Sequence, residues 1–262
     1  MQLPPSSHLD FTNRVVLVTG GTKGVGKGIA EQFLQYDATV IICGRNEPET
    51  AISVNNHHAI FMACDVCSFE AIEAMINAII EQHGHLDVLV NNAGGAPYAE
   101  AANVSPRFSK KIIDLNLLAP LYCAQLANKA MQQQDHGGNI INIASVSATR
   151  PSPGTAAYGA AKAGLMNLTT SLAVEWAPKV RLNSIIAGLI QTEQSHLHYG
   201  DEQGIAKVSA TIPLGRMAST HDIGNACLYL ASDLASYVTG AALTVHGGGE
   251  KPAFLSASNT NQ

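Results

Sequence analysis

The chain has 262 residues, 46% of them apolar and only 13% charged, with a formal net charge of −5. That length and apolar content suit one large α/β domain with a sizeable core, so residues 1–262 are read as a single unit with a polar tail from about residue 255. The negative balance excludes the basic footprint of a nucleic-acid-binding surface and gives no reason to expect a membrane surface.

The start, MQLPPSSHLDFTNR, lacks the apolar core of a signal peptide, and the apolar stretch IIDLNLLAPLYCAQLA is interrupted by Asp114 and Asn116. A soluble, cytoplasmic protein is expected. In chain order, RVVLVT (14–19) predicts a strand and 24–36 a helix; TVIIC (39–43) and AIFMA (59–63) predict two more strands, followed by a helix over 68–83. LDVLVN (86–91) is a strand and 105–131 a helix, then NIINIA (139–144) a strand, 155–176 a helix, VRLNSII (180–186) a strand, 220–231 a helix and ALTV (242–245) a last strand. Near-continuous apolar strands are buried on both faces, as in a parallel sheet, and their alternation with helices builds right-handed βαβ units. The predicted fold is α/β, a doubly wound Rossmann-type parallel sheet of about seven strands with helices on both faces.

Five cysteines, an odd number scattered through mostly apolar segments, read as reduced core thiols. Cys64 and Cys67 form a C-x-x-C, but no second pair follows to complete a structural zinc site. The pairs His57/His58, His83/His85 and His196/His198 fit no zinc signature and read as loop or surface histidines. No metal is expected.

In a doubly wound sheet ligands sit beyond the carboxyl ends of the strands. Directly after the first strand comes TGGTKGVGKGIA (19–30), with Gly20, Gly24 and Gly26 spaced T-G-x-x-x-G-x-G. Glycines there allow a tight turn and close approach of backbone to a pyrophosphate, which the amide end of the following helix attracts. No G-K-[ST] follows at the spacing of a Walker-type ATP site. Further on, AAYGAAKAG (156–164) sets Tyr158 and Lys162 four residues apart, one turn apart on one helix face, among alanines and glycines. That spacing alone also describes an ordinary surface helix with an amphipathic lysine. Strand-end Ser145 and the glycine loop tip the balance toward a site.

From about residue 10 to 250 the chain resembles the short-chain dehydrogenases/reductases. The motifs stand in that family's order: TGGTKGVG (19–26), CDV (64–66), NNAG (91–94), Asn116 within DLNLLAP, NIAS ending at Ser145, Y-G-A-A-K (158–162), AGLIQT (187–192) and YVTGAALTVHGGG (237–249). The resemblance implies a tetrad of Asn116, Ser145, Tyr158 and Lys162. Tyr158 is the proton donor in carbonyl reduction and the base in alcohol oxidation. A phenol's reference pKa of about 10 is high for that base, and a Lys162 ammonium nearby lowers it. Lys162 also bonds the nicotinamide ribose, Ser145 holds the substrate oxygen, and Asn116 interrupts its helix and holds a water linking Lys162 to solvent. The cofactor falls to the loop residues Gly20, Thr22, Lys23, Gly24, Val25 and Gly26. Asp65 and Val66 take the adenine; Asn92, Ala93 and Gly94 the adenosine side; Ile190 and Thr192 the nicotinamide carboxamide. Three departures from the family pattern stand out: Ala187-Gly188 replaces Pro-Gly, His246 replaces an Asp, and NEPETAISVNNHH after Arg45 is polar and short, so the helix usual there is abbreviated.

Cofactor choice is also legible. An acidic residue at the end of the second strand selects NAD in such folds. Here TVIIC runs into Gly44-Arg45-Asn46, Asp37 lies before the strand and Glu47 too far after it. Arg45 and Lys23 are two cations at one site, which points to NADP(H) over NAD(H). Two classes of function remain: an NADP(H)-dependent carbonyl reductase or alcohol dehydrogenase, or a dinucleotide-binding sensor without chemistry. The presence of Ser145, Tyr158 and Lys162 favours the enzyme. Its substrate is a small carbonyl or alcohol; the polar lid TEQSHLHYGDEQGIAKVSATIPLG (192–215) leans away from steroids. An alternative is a 3-oxoacyl thioester on coenzyme A or an acyl carrier protein, for which Arg107, Lys110 and Lys111, or Lys179 and Arg181, offer basic clusters that read equally as solvated faces. The helices at 105–131 and 155–176 carry more apolar residues than one stripe needs, so a homotetramer is expected.

Overall fold

A computed structural model describes residues 9–257. In chain order it contains β1 (Val15–Thr19), α1 (Gly24–Gln35), β2 (Thr39–Gly44), β3 (Ser53–Val54), β4 (His57–His58), β5 (Ile60–Ala63), α2 (Phe69–His83), β6 (Val88–Asn91) and α3 (Pro106–Ile113). A π-helical turn, Asp114–Leu118, leads to α4 (Ala119–Met131). Then follow β7 (Gly138–Ser145), α5 (Ala156–Trp176), β8 (Val180–Ala187), α6 (His196–Tyr199), α7 (Glu202–Thr211), α8 (Thr220–Ala231), β9 (Ala242–Val245) and α9 (Ala253–Ala257). Seven strands form one parallel sheet in the order β5-β2-β1-β6-β7-β8-β9. The winding direction reverses between β1 and β6, which opens a crevice at their carboxyl ends. The doubly wound α/β fold is as the sequence predicts.

Strand periodicity explains the layers. Val15 and Leu17 of β1 face a core shared with Ile72 and Ile79 of α2 and Met131 of α4. Val16 and Val18 face the opposite core, with Ile29 and Phe33 of α1 and Ile223 of α8. Both sides of the strand are covered, so an apolar residue suits every position. On the second face α1 and α8 come close enough that a methyl group on Gly28 would overlap Thr220. This fixes the helix of the glycine loop against the helix that follows the lid.

Several details differ from the sequence reading. The predicted helix 105–131 is broken by the π turn, where Ala119 N–H reaches back five residues to the Asp114 carbonyl. No helix, even an abbreviated one, lies between β2 and β5; β3 and β4 form an antiparallel hairpin instead. Asn55 and Asn56 turn it at φ of 50° and 66°, the two positive values of a type I′ turn, which Asn tolerates. His57 and His58 are therefore exposed strand residues, not loop residues. AIFMA is not fully buried, since β5 is a sheet edge and Ile60 is 38% exposed. The lid does fold as a helix pair, α6 and α7, with no fully buried side chain in either. Of the expected polar tail, 253–257 is the short helix α9 and 258–262 lies outside the described residues. Among the described residues no helix is long and apolar enough to cross a membrane.

Candidate active site

The glycine loop is braced by the first residues after β6. Thr19, the last residue of β1, accepts through Oγ1 from the backbone N–H of Asn92 and Ala93, both at 3.0 Å. The Asn92 side chain returns the bond, donating to Thr19 O (2.9 Å) and Gly20 O (3.2 Å). Gly20 takes φ of 63°, and a Cβ on it would lie 2.9 Å from Ala93 Cα. Only glycine meets both demands. Above this junction opens a cavity of about 870 Å³, within the usual size of a cofactor site.

The cavity is lined by Gly20, Thr22, Lys23, Gly24, Val25 and Gly26 of the glycine loop, by Arg45, Asp65 and Val66, and by Asn92, Ala93 and Gly94. Ile190, Thr192, Ser145, Tyr158 and Lys162 line it too, as do Lys111, Asp114 and Leu115. Every residue expected to act in catalysis or to hold the cofactor lines this one cavity except Asn116, which is wholly buried.

Ser145 ends β7, where its Oγ accepts from Ser147 N–H at 3.2 Å and its hydroxyl hydrogen-bonds the Tyr158 phenol. Lys162, one turn after Tyr158 on α5, is 3% exposed, donates to Ile143 O at 2.7 Å and lies 5.7 Å from the centre of the Tyr158 ring. Burial alone brings its ammonium down to a pKa of about 8. The expectation that Lys162 lowers the phenol's pKa is not met in this state: burial pushes Tyr158 above its ordinary value, and the Ser145 hydrogen bond offsets only part of that. The physical reason is that Lys162, itself lowered to about 8 by burial, is neutral in the range where the phenol titrates and has no charge left to stabilise a phenolate there.

Asn116 sits in the π turn that interrupts its helix. Its Nδ2 donates to Ile112 O (2.9 Å) and Gly95 O (3.0 Å), while Oδ1 accepts from Gly95 N–H (2.8 Å). Its amide is thus engaged by backbone at both ends. A Cβ on Gly94 would lie 2.7 Å from Asn116 Oδ1 and 3.3 Å from Lys162 Nζ, so glycine lets these two groups converge.

The departures at Ala187-Gly188 and His246 prove to be neighbours. Gly188 N–H bonds Val245 O at 2.9 Å, and a bridge between Ile190 and Ala218 follows, so hydrogen bonds hold the turn that a proline would stiffen. A smaller recess of about 290 Å³ adjoins here, lined by Val146, Gly188 and His246 and by the Arg150–Glu250 ion pair at 2.6 Å. Gln194 and His198 of the lid also line the main cavity; His198 is exposed, as a loop or surface histidine should be, and its place beside the cavity is what the sequence did not show. Nothing in its local pattern marks it, because the lid's polar residues look alike until the chain folds back over the site. Of the cysteines, Cys43, Cys64, Cys123 and Cys227 are buried, whereas Cys67 is exposed rather than a core thiol. Lys179 is tied to the carbonyls of Gln132 and Gln134, Arg181 to those of Ser232 and Val238, and Lys110 to Asp114.

The family model described as enoyl-(acyl carrier protein) reductase matches residues 20–250. A 3alpha-hydroxysteroid dehydrogenase of Mediterraneibacter gnavus is 35% identical over 90% of this chain and 96% of its own. Glucose 1-dehydrogenase 2 of Bacillus subtilis is 34% identical over 92% and 96%. The ligand-free aldohexose dehydrogenase of Thermoplasma acidophilum superposes with a TM-score of 0.86 at 30% identity, covering 98% of this chain and 99% of that one.

The burial of Lys162 has a measurable cost. Its pKa in the fold is depressed, so below about pH 8 the folded protein holds a charge that the unfolded chain hydrates better, and this penalty disappears as pH rises from about 8 to 10.5. Lys162→Met should therefore raise the thermal midpoint at pH 7, by about 1–3 kcal/mol of stability, with the gain shrinking toward pH 10. Paired melting curves across that range check it; a variant less stable than wild type at pH 7 would contradict the account.

Proposed function

Because this chain belongs to the short-chain dehydrogenase/reductase family, oxidoreductases of alcohol and carbonyl groups, we propose that it interconverts a carbonyl and a secondary alcohol with NADP(H), using Tyr158 as acid and base. The carrying observation is that the Ser145 hydroxyl, the Tyr158 phenol and the buried Lys162 come together in the same cavity that the glycine loop lines. The residues fit a dinucleotide. A side chain at Gly20 or Gly26 would fill the turn, and α1 directs free amides into the space. Gly20, Thr22, Gly24, Val25 and Gly26 would hold the diphosphate, Asp65 and Val66 the adenine, Asn92, Ala93 and Gly94 the adenosine, and Ile190 and Thr192 the nicotinamide. We take the whole chain as one catalytic unit.

Bound NADP(H) supplies or accepts the hydride. In reduction Tyr158 passes its proton to the carbonyl oxygen, which Ser145 holds by a hydrogen bond. A phenol whose pKa is raised by burial remains protonated at neutral pH and is ready for that step. In oxidation the same phenol must act as base, and the Lys162 ammonium would have to turn from the Ile143 carbonyl toward it to offset its burial. Asn116 positions the backbone at Gly95, beside Gly94 and Lys162.

The substrate is a small polar carbonyl or alcohol. Gln194 and His198 line the cavity, and the Arg150–Glu250 pair with His246 lines the adjoining recess, groups suited to hydroxyls and not to a steroid or a long acyl chain. The relatives named for glucose and aldohexose lend this support; the relative named for a hydroxysteroid favours a larger substrate. The thioester alternative loses ground because Lys110, Lys179 and Arg181 are tied to partners within the chain. A non-catalytic sensor has no need of the Ser145–Tyr158–Lys162 cluster.

Lys23 and Arg45 are exposed, line the same cavity, and make no ion pair among the described residues, so both charges stand available to the extra phosphate of NADP(H). For assembly we propose a homotetramer: Ala160, Ala163 and Val174 of α5 are exposed, and Leu234, Tyr237 and Phe254 are large apolar side chains exposed elsewhere in the chain.

Three outcomes are expected. Tyr158→Phe should lower turnover by about 10²-fold or more while cofactor still binds, judged by steady-state rates on a panel of sugars and small ketones. Full activity in that variant would remove Tyr158 from the mechanism. Arg45→Ala should weaken NADPH by about 1–3 kcal/mol and leave NADH nearly unchanged, and an unaltered NADPH-to-NADH ratio of specificity constants would show that this loop does not read the phosphate. Light scattering at micromolar concentration should give four times the chain mass; a monomer mass refutes the assembly.

A further inference from the structure

One exposed contact joins the lid to the glycine loop. Glu193 Oε1 accepts from the backbone N–H of Gly24 at 2.9 Å, between residues 169 positions apart. Gly24 is the first residue of α1, and that helix end has no anion of its own. Its N-cap, Lys23, makes no side-chain capping bond, no acidic residue lies in the first turn, and Lys27 adds a second cation one turn in. A helix start flanked by two lysines with free amides attracts negative charge. Glu193 supplies it from outside the helix, at the place where the sequence and the fold direct a dinucleotide's phosphates.

We propose that Glu193 is an internal anion that occupies the diphosphate position of the cofactor site and must be displaced when the cofactor binds. The inference rests on the dinucleotide reading of the cavity. Glu193 is held only lightly for this purpose. Gly24 N–H is its one side-chain partner among the described contacts, and its backbone carbonyl is a partner of His196 Nδ1 at 3.1 Å. Thr192 beside it is fixed independently, its N–H bonded to the buried Ser195 Oγ at 2.8 Å, so the carboxylate can swing away without unfolding the turn. A diphosphate brought to the same amide faces a like charge at hydrogen-bonding range. Part of its binding free energy is therefore spent on expelling the carboxylate, and the chain binds its cofactor more weakly than its glycine loop permits.

The test is a set of binding titrations that need no substrate and no turnover. NADPH and NADH are titrated into wild type, Glu193→Gln and Glu193→Ala by nicotinamide fluorescence, and adenosine 2′-monophosphate, which has no diphosphate, by calorimetry. Both variants should bind the preferred dinucleotide about three- to thirty-fold more tightly, the range of a carboxylate at a helix start, while the affinity for adenosine 2′-monophosphate stays constant. Unchanged or weaker dinucleotide binding in both variants overturns the proposal, and so does an equal gain for the monophosphate, which would mark a general charge effect. Failure of wild type to bind either dinucleotide would instead overturn the cofactor reading beneath it.

Discussion

The site depends on how two diverging loops are joined where the sheet reverses its winding. β1 and β6 are neighbours in the sheet, but their continuations leave in opposite directions, and a parallel sheet supplies no ladder bonds beyond its edge. Thr19 and Asn92 bridge the gap reciprocally, hydroxyl to amide in one direction and side-chain amide to carbonyl in the other. Cutting either residue would leave polar groups of the other unpaired in a half-buried place, which costs more than the bond itself contributes. The glycine loop keeps its shape because β6 holds it, and the positions of Gly94, Asn116 and Lys162 follow from the same junction.

Two buried charges show how differently the chain treats structure and chemistry. Asp87, at the amino-terminal end of the sheet, is 4% exposed and surrounded by partners: Arg14 at 3.0 Å, His136 at 2.9 Å, His85 at 3.2 Å and Val15 N–H at 2.7 Å. Lys162, at the carboxyl-terminal end, is as deeply buried and has one carbonyl. A charge kept for stability is fully compensated; one left short of partners retains the capacity to bond a ligand and to respond to a neighbouring proton.

Much of this was legible in the sequence because it is local. The glycine spacing, the four-residue interval from Tyr158 to Lys162 and the absence of an acid after β2 are properties of short segments, and strand burial on both faces reads directly from apolar runs. The hairpin at Asn55-Asn56 was missed although its signal was present, since two residues tolerant of positive φ stood between short β-capable stretches. Other features come only from folding. Burial of both groups raises the Tyr158 phenol and lowers the Lys162 amine, against the expected effect on Tyr158, and no spacing reveals it. Glu193 meets Gly24, and His198 meets the cavity, only because β8 and its lid return to the first loop.

The parallel bridge of Ile190 with Ala218 has an evolutionary consequence. With Gln191 N–H bonded to Ala218 O at 2.8 Å and Ala218 N–H to Leu189 O at 3.0 Å, both ends of the segment between them are fastened to one another at the sheet rim. Loop-closure entropy grows only with the logarithm of length, so doubling such an insertion costs about 0.6 kcal/mol. Between these anchors, the residues beyond Ser195, which fixes Thr192, can be lengthened, shortened or exchanged for those of another chain while the scaffold and the cofactor site are left as they are. Substrate range is then a detachable trait, able to drift faster than the chemistry it serves.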